Sequence, residues 1–245
     1  MATPRTRTTA ATGAPGHPEP SSAAQRDRRK RILDVTLALA SKGGYDAVQM
    51  RTVAEHANVA LGTLYRYFPS KIHLLVSGLA REFERAQEKL DRTPIPGDTA
   101  YERTLFVLGR ITRSMQREPM LAEAMTRAFM FADPSAAAEV NAVARLMEQM
   151  LTKAMHEGEP SVDEIAIARI IGDVWLSHLV AWVTRRASAD DVSNHLELAT
   201  RLLLQCRPAG AHPRRRVKDR RGRGSVVTVG PLIAPPPGQH WPGQH

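Results

Sequence analysis

The sequence predicts an all-α protein: a short three-helix unit near the N-terminus, then a larger helical bundle. Three observations carry this. Apolar residues recur at three- and four-residue spacing from about residue 26 to residue 204, with no stretch of strict alternation. Start and stop signals punctuate the pattern: Ser70, Thr99, Ser161 and Ser188 before apolar runs, and Gly43-Gly44, Pro94, Pro134 and Gly158 after them. Between residues 50 and 71, two short helical patterns flank a tight break. No strand pattern and no internal repeat is visible.

Residues 1–24 are rich in Pro, Thr, Ala, Gly and Ser and lack apolar periodicity, which predicts a disordered basic arm. A helix is expected over about 24–42, carrying Arg26, Arg28, Arg29, Lys30 and Arg31 at its start and closing at Gly43-Gly44. Met50, Val53, Ala54 and Ala57 give the next, short helix an apolar inner face. Ala57-Asn58-Val59 makes the turn, because Asn tolerates the left-handed conformation better than most residues. In Leu61-Gly62-Thr63-Leu64-Tyr65, Leu64 faces inward while Thr63, Tyr65, Arg66 and Tyr67 lie on or beside the outer face. Pro69 excludes a helical conformation at Phe68, and Ser70 caps the following helix.

That helix is expected over Ser70 to Leu90. Pro94-Ile95-Pro96-Gly97 breaks the chain, and Asp98 or Thr99 caps a helix to about Arg117. Pro119 suits an early helical position in a segment running to Phe131. Asp133-Pro134-Ser135 is the next break. Further helices are expected over about Ser135–Glu157, from the Ser161/Glu164 capping box to about Arg186, and over Ser188–Leu204. Residues 205–245 hold a run of arginines, Pro235-Pro236-Pro237 and two Gly-Gln-His copies, which predicts a disordered basic tail. The expected domains are therefore 25–72 and 73–204, between two disordered ends.

The formal charge is +9, but it is unevenly placed. Residues 1–31 carry seven basic and two acidic side chains, and residues 205–245 carry eight and one. The 32–204 stretch has nineteen basic against twenty-two acidic, a net of −3. The folded part is slightly acidic; the tails supply general attraction for polyanions rather than specific reading. Cys206 is the lone cysteine, so no internal disulfide forms, which suits a reducing cytoplasm. No uninterrupted apolar run approaches the roughly 20 residues that span a bilayer, and no signal-peptide pattern opens the chain. The sequence has no nucleophile elbow, Ser-His-Asp order, Gly-rich phosphate loop or metal-ligand spacing. A non-enzymatic protein without a cofactor or metal is expected.

Two short helices around a tight turn, with polar and aromatic residues on the outer face of the second, are the pattern that reads base edges in the major groove. The candidate DNA-contacting residues are Arg51, Thr52, Leu61, Gly62, Thr63, Tyr65, Arg66, Tyr67 and Lys71. Gly62 leaves room for close backbone approach. Thr52 sits in a helix first turn, where a hydroxyl and free N–H groups can meet a phosphate. Lys71 in the first turn of its helix opposes the dipole unless an anion is present.

In the second half, Met115, Met120, Met125, Met130, Met147, Met150 and Met155 cluster with Phe129 and Phe131. Methionine fills irregular apolar space well, in an ordinary core or around a ligand. The candidate pocket comprises Met115, Met120, Met125, Phe129, Met130, Met147, Met150, Trp175, Leu179 and Trp182. The helix around 167–183 is apolar on two arcs, so it must be buried nearly all round. One arc (Ile167, Ile171, Val174 and His178), with Leu196 and Leu203 of the last helix, is the candidate dimer face. His178 reads as a packed, hydrogen-bonded histidine.

The string Gly62-Thr63-Leu64-Tyr65, with Tyr67, Phe68, Ser70 and Lys71, resembles the signature of the TetR family of regulators. The resemblance covers roughly residues 26–86. It implies an N-terminal helix-turn-helix DNA-binding domain, a C-terminal helical ligand-binding and dimerisation domain, a homodimer, and a pseudo-palindromic double-stranded operator. It also implies a four-helix dimer interface built from the last two helices of each subunit. The strings at 41–45, 123–128, 131–133, 158–160, 173–177 and 181–188 resemble, more narrowly, the actinobacterial branch of the family that represses cholesterol catabolism. That resemblance implies a hydrophobic effector of steroid-like acyl-CoA type, with Arg127, Arg185 and Arg186 as candidates for its phosphates. A fatty acyl-CoA, a drug or another hydrophobic ligand is the alternative effector, and non-specific DNA binding is the remote alternative function.

Overall fold

The computed structural model describes residues 21–205, which fall within one compact unit. Expectations for residues 1–20 and 206–245, including Cys206 and the basic tail, lie outside the described residues. Among the described residues all regular structure is helical: α1 (Ser21–Ala47), α2 (Met50–His56), α3 (Leu61–Tyr67), α4 (Lys71–Asp91), α5 (Ala100–Arg117), α6 (Pro119–Met130), α7 (Ala137–Met155), α8 (Val162–Val183) and α9 (Ala189–Leu204). One 3-10 turn, Pro134–Ala136, precedes α7.

The boundaries follow local chemistry. α1 starts at Ser21, ahead of the expected start near residue 24, so residues 21–24 belong to the helix rather than to a disordered arm. It kinks where glycine predicts, at Gly43 (φ −143°) and Gly44 (φ 66°). A Cβ on Gly44 would lie 3.1 Å from Met120 Cε and 3.2 Å from Glu123 Oε2, so the kink also lets α6 approach closely. Thr99, Ser161 and Ser188 each form a capping box, with Glu102, Glu164 and Asp191 respectively. Two of the ends that differ from expectation have a clear local cause. α8 stops at Val183, short of Arg186, because Arg185 turns left-handed (φ 59°) and Arg186 and Ala187 donate their N–H groups back to Ala181 O. α7 starts after Ser135, because Asp133 caps the 3-10 turn, accepting from Ser135 N at 2.8 Å.

α1, α2 and α3 form the N-terminal unit, and α4 runs without interruption across the 72/73 junction into the bundle. α1 packs most extensively on α6, while α4 packs on α7 and α6. α5 and α8 both pack against α7 and α9. One continuous apolar core joins the two halves, from Ile32 and Leu64 through Leu75 and Phe83 to Met150 and Trp175. Phe83 meets Trp175 edge-on, with centroids 6.0 Å apart, and the indole N–H of Trp175 donates to Thr112 Oγ1 at 3.0 Å.

α8 stands apart. Within the subunit it buries only Ala168, Ile171, Trp175 and Leu179 of its 22 residues. By length and composition alone it is also long and apolar enough to cross a membrane, although it holds no uninterrupted apolar run of that length. Arg169 and Asp173 interrupt its apolar residues. Arg169 pairs with Glu148 of α7 at 2.7 Å, and Trp175 is anchored on α5, so α8 is tied into the bundle along its length.

The exposed Glu102 carboxylate accepts N–H bonds from Asp98 (2.8 Å) and Thr99 (3.1 Å), and the Thr99 bond foremost holds it below the usual carboxylate range. The folded chain thus binds this proton less readily than the unfolded chain. Its stabilisation is complete above the ordinary carboxylate pKa of about 4.3 and is lost as pH falls through the lowered folded value. Glu102→Ala is expected to lower the melting temperature at pH 7, with the gap to wild type narrowing below about pH 4. A gap that stays constant on acidification contradicts this role.

Candidate nucleic-acid interface

The helix-turn-helix is built from α2, the turn 57–60 and α3. Val53 and Ala54 form the buried inner face of α2, and its C-cap Ala57 is buried beside them. The turn closes through Asn58 in the left-handed region (φ 52°), with its N–H on Glu55 O (3.1 Å) and the Val59 N–H on Ala54 O (3.0 Å). Arg31 of α1 donates its Nε–H to Ala57 O at 3.1 Å, tying the turn to the first helix. α3 is anchored by Leu64, fully buried, and ends at Phe68, also buried, whose extended backbone (φ −142°, ψ 99°) is what Pro69 imposes. The Arg29 guanidinium covers the Phe68 ring at 5.3 Å.

This anchoring presents the opposite side of α3 to solvent. Gly62, Tyr65 and Arg66 are exposed, Tyr65 to 46% despite its size, and Leu61, Thr63 and Tyr67 are half-buried. On α2, Arg51 is exposed and Thr52 half-buried. A Cβ added at Gly62 would meet nothing within 4 Å, so no internal packing demands glycine there. The structure brings these residues to one end of the molecule, beside the N-terminus of α4. Ser70 caps α4, accepting from His73 N at 3.4 Å.

Lys71 lies at the same end, but its side chain is engaged. Its ammonium donates to Tyr45 O at 3.1 Å and sits 3.9 Å from the centre of the Tyr45 ring. Burial pulls its pKa below the usual lysine value, against the pull of nearby Asp46, and Arg127 adds to the lowering. Sequence reasoning did not foresee this partnership, since 26 residues separate Tyr45 and Lys71.

In the C-terminal half, Met115, Met125, Met147, Met150, Trp175 and Leu179 are buried in the core, and Phe129 and Trp182 are half-buried against it. Met120 and Met130 are corrections: they are 46% and 38% exposed rather than enclosed. On the candidate dimer face, Ile167, Val174, His178 and Leu203 are half-buried, whereas Ile171 and Leu196 are corrections, being 0% and 4% exposed within a single subunit. The large apolar residues left exposed on α8 and α9 are instead Val162, at the start of α8, and Ile170, Leu198 and Leu202. His178 donates its Nδ1–H to Val174 O at 2.8 Å and stacks on His195 with ring centres 4.4 Å apart. Arg127 pairs with Asp46 and Glu123, and Arg186 donates to Thr184 Oγ1.

A separate open cleft of about 800 Å³ lies at the far end of the bundle, lined in part by Leu90, Ile95, Arg103, Lys153 and Pro160. Arg103 there ties the end of α7 to the turn before α5, donating to Ala154 O, Met155 O, Gly97 O and Asp98 O. No sequence signal distinguished this arginine from its neighbours on the helix surface. Among the described residues no group of three or more His, Cys, Asp or Glu side chains is arranged to hold a metal.

An anchored reading helix behind a capped connector, joined to a helical bundle, defines a helix-turn-helix DNA-binding regulator. The family model for "Bacterial regulatory proteins, tetR family" matches residues 32–77, and one for the "Tetracyclin repressor-like, C-terminal domain" matches residues 97–203. The chain belongs to the TetR family of transcriptional regulators. It is 64% identical over 186 residues, 76% of its length and 91% of the relative's, to the HTH-type transcriptional repressor KstR of Mycolicibacterium smegmatis. It is 61% identical to the repressor of that name from Mycobacterium tuberculosis, over 76% of this chain and 84% of the relative. Among solved structures, a TetR regulator from Rhodococcus sp. RHA1 superposes with a TM-score of 0.69 at 30% identity, covering 74% of this chain and 97% of that one. Thermus thermophilus FadR, a TetR-family repressor solved with lauroyl-CoA, shares the fold at a TM-score of 0.58 and 21% identity, over 76% of this chain and 97% of that one.

The turn supplies a direct test. Replacing Asn58 by Val places a β-branched residue at φ 52° and should cost about 1–2 kcal/mol in urea unfolding, whereas Asn58→Gly should be tolerated. Equal stability of the Val and Gly variants contradicts the geometry.

Proposed function

We propose that this protein is a homodimeric transcriptional repressor of sterol or related lipid catabolism genes, acting on operator DNA in the cytoplasm and released from it by a steroid-like acyl-CoA thioester. The observation that carries the reading is the identity of 61–64% to repressors named KstR, which spans most of those proteins and so both halves of this chain. The shared fold of the lauroyl-CoA-bound neighbour supports a narrower point, that helices in this arrangement can hold an acyl-CoA. Here the buried methionines with Trp175 and Leu179 supply apolar, deformable walls for a ring system.

DNA recognition is assigned to α3 and its surroundings. Thr63, Tyr65, Arg66 and Tyr67 face base edges and sugar-phosphate, Gly62 admits the close approach, and Arg51, Thr52, Leu61 and Lys71 flank the groove. The folded part is nearly neutral, so sequence preference comes from this geometry, while charge outside it adds general attraction. Dimerisation is assigned to α8 and α9. A helix apolar all round that buries so few residues in its own subunit needs a second apolar face, and Ile170, Leu198 and Leu202 are 47%, 43% and 54% exposed. The effector acts by differential affinity: it favours a dimer whose two reading helices are wrongly spaced for adjacent major grooves.

A cholestenone-type acyl-CoA raises the melting temperature of the protein and releases operator DNA in a gel shift. A response to long-chain fatty acyl-CoA alone transfers the assignment to fatty-acid metabolism. Tyr65→Ala weakens operator binding by about 1–3 kcal/mol and Lys71→Ala lowers the salt slope by about one, each with an unchanged dimer; wild-type affinity of both variants overturns the interface. Leu202→Glu yields a folded monomer in sedimentation, whereas a persistent dimer moves the interface elsewhere.

A further inference from the structure

Where the N-terminal unit meets the bundle, one aromatic residue is held from both sides. Tyr45 follows the kink of α1 and is half-buried. From α6, Glu123 Oε2 accepts its N–H at 3.3 Å, and the Arg127 guanidinium lies 4.4 Å from its ring centre. From the start of α4, the Lys71 ammonium takes its carbonyl at 3.1 Å and lies 3.9 Å from the same ring. Arg127 is steadied in turn by Asp46 (3.7 Å) and Glu123 (3.8 Å). A second tie lies one turn back, where Ser41 Oγ donates to Glu118 Oε2 at 2.6 Å. Gly44 leaves no room between this turn and α6.

We propose that Tyr45 is the joint between the effector-responsive bundle and the DNA-reading end: α6 grips its N–H and ring through Glu123 and Arg127, and its carbonyl and ring aim the Lys71 ammonium. An ammonium has three donors. One is spent on Tyr45 O, and two remain for a phosphate oxygen. Holding the four-carbon stem against the ring removes rotamer freedom before DNA arrives, so less is lost on binding. α6 also carries Met125 and Phe129, which belong to the apolar interior. A shift of α6 moves Glu123 and Arg127 together, and Tyr45 with them, so Lys71 changes its aim although no atom of α6 reaches it through a hydrogen bond. Tyr45 and Arg127 are thus positioning residues for a phosphate contact made by Lys71. The inference rests on the operator-binding reading given above.

The test is a double-mutant cycle on the full-length chain with DNA that it selects from a random pool. Arg127→Met is expected to weaken binding about threefold to tenfold in the wild-type background and to have no effect in the Lys71→Ala background. Tyr45→Leu behaves in the same way, while Tyr45→Phe, which keeps ring and carbonyl, retains wild-type affinity and salt slope. Thermal melts of each variant separate loss of aim from loss of fold. Additive effects of Arg127→Met and Lys71→Ala, or equal loss in Tyr45→Phe and Tyr45→Leu, overturn the joint. Failure of the wild-type chain to select any DNA sequence overturns the operator reading instead. Added cholestenone-type acyl-CoA should shift operator affinity less in Arg127→Met than in wild type; an equal shift in both removes α6 from the route.

Discussion

Burial of Leu64 and Phe68 is the constraint on which the rest of the molecule depends. α3 has seven residues, far below the dozen or so at which an isolated helix becomes marginally stable in water. It exists because its inner side chain and the residue that ends it are fully sequestered against the neighbouring helices. Once those two are fixed, the helix has one rotational setting, and Tyr65 and Arg66 can only face outward. Arg31 on the turn carbonyl and Arg29 over Phe68 extend the same anchoring into α1. An exposed tyrosine and an unfilled glycine side are therefore consequences of the core and not independent features of the surface.

The bundle behind is organised around the opposite circumstance, a helix with more apolar surface than one subunit covers. α8 is capped and tied to α5 and α7, yet Ile170 with Leu198 and Leu202 of α9 stays open. On the function proposed above, a second copy closes that face and fixes the distance between two reading helices. Because α1 packs more extensively on α6 than on any other helix, the orientation of each reading unit is set mainly by one helix of its own bundle. Changes in the bundle interior and in the reading unit then share a common element, which is what coupling between two sites requires physically.

The parts of this structure legible in the sequence are those with local causes. Asn58 in the left-handed turn, the kink at Gly43-Gly44, the extended Phe68 before Pro69, the Ser70 cap, and the Thr99 and Ser161 boxes each depend on residues within a few positions. The all-α class followed from periodicity for the same reason. Less was legible where a side chain's direction depends on distant packing. Lys71 folds onto Tyr45 through contacts made only in the tertiary structure. Met120 and Met130 share the residue type of the buried methionines, but the rotation of α6 that exposes them is set by Leu121, Ala124 and Met125. Ile171 is buried within its own subunit, and a helix apolar all round offers no periodic signal to separate inward from outward faces.

The central claim is that a nearly neutral fold reads DNA sequence through α3, twice, in a symmetric pair. Selection of bound fragments from a random double-stranded pool by the full-length protein tests it most directly. The expected result is enrichment of a pseudo-palindrome whose half-sites are centred about one helical turn, or a multiple of it, apart. Binding with steep salt dependence but no enriched sequence would contradict it, and would leave the charge of the chain, rather than the geometry around Leu64, as the source of its affinity for DNA.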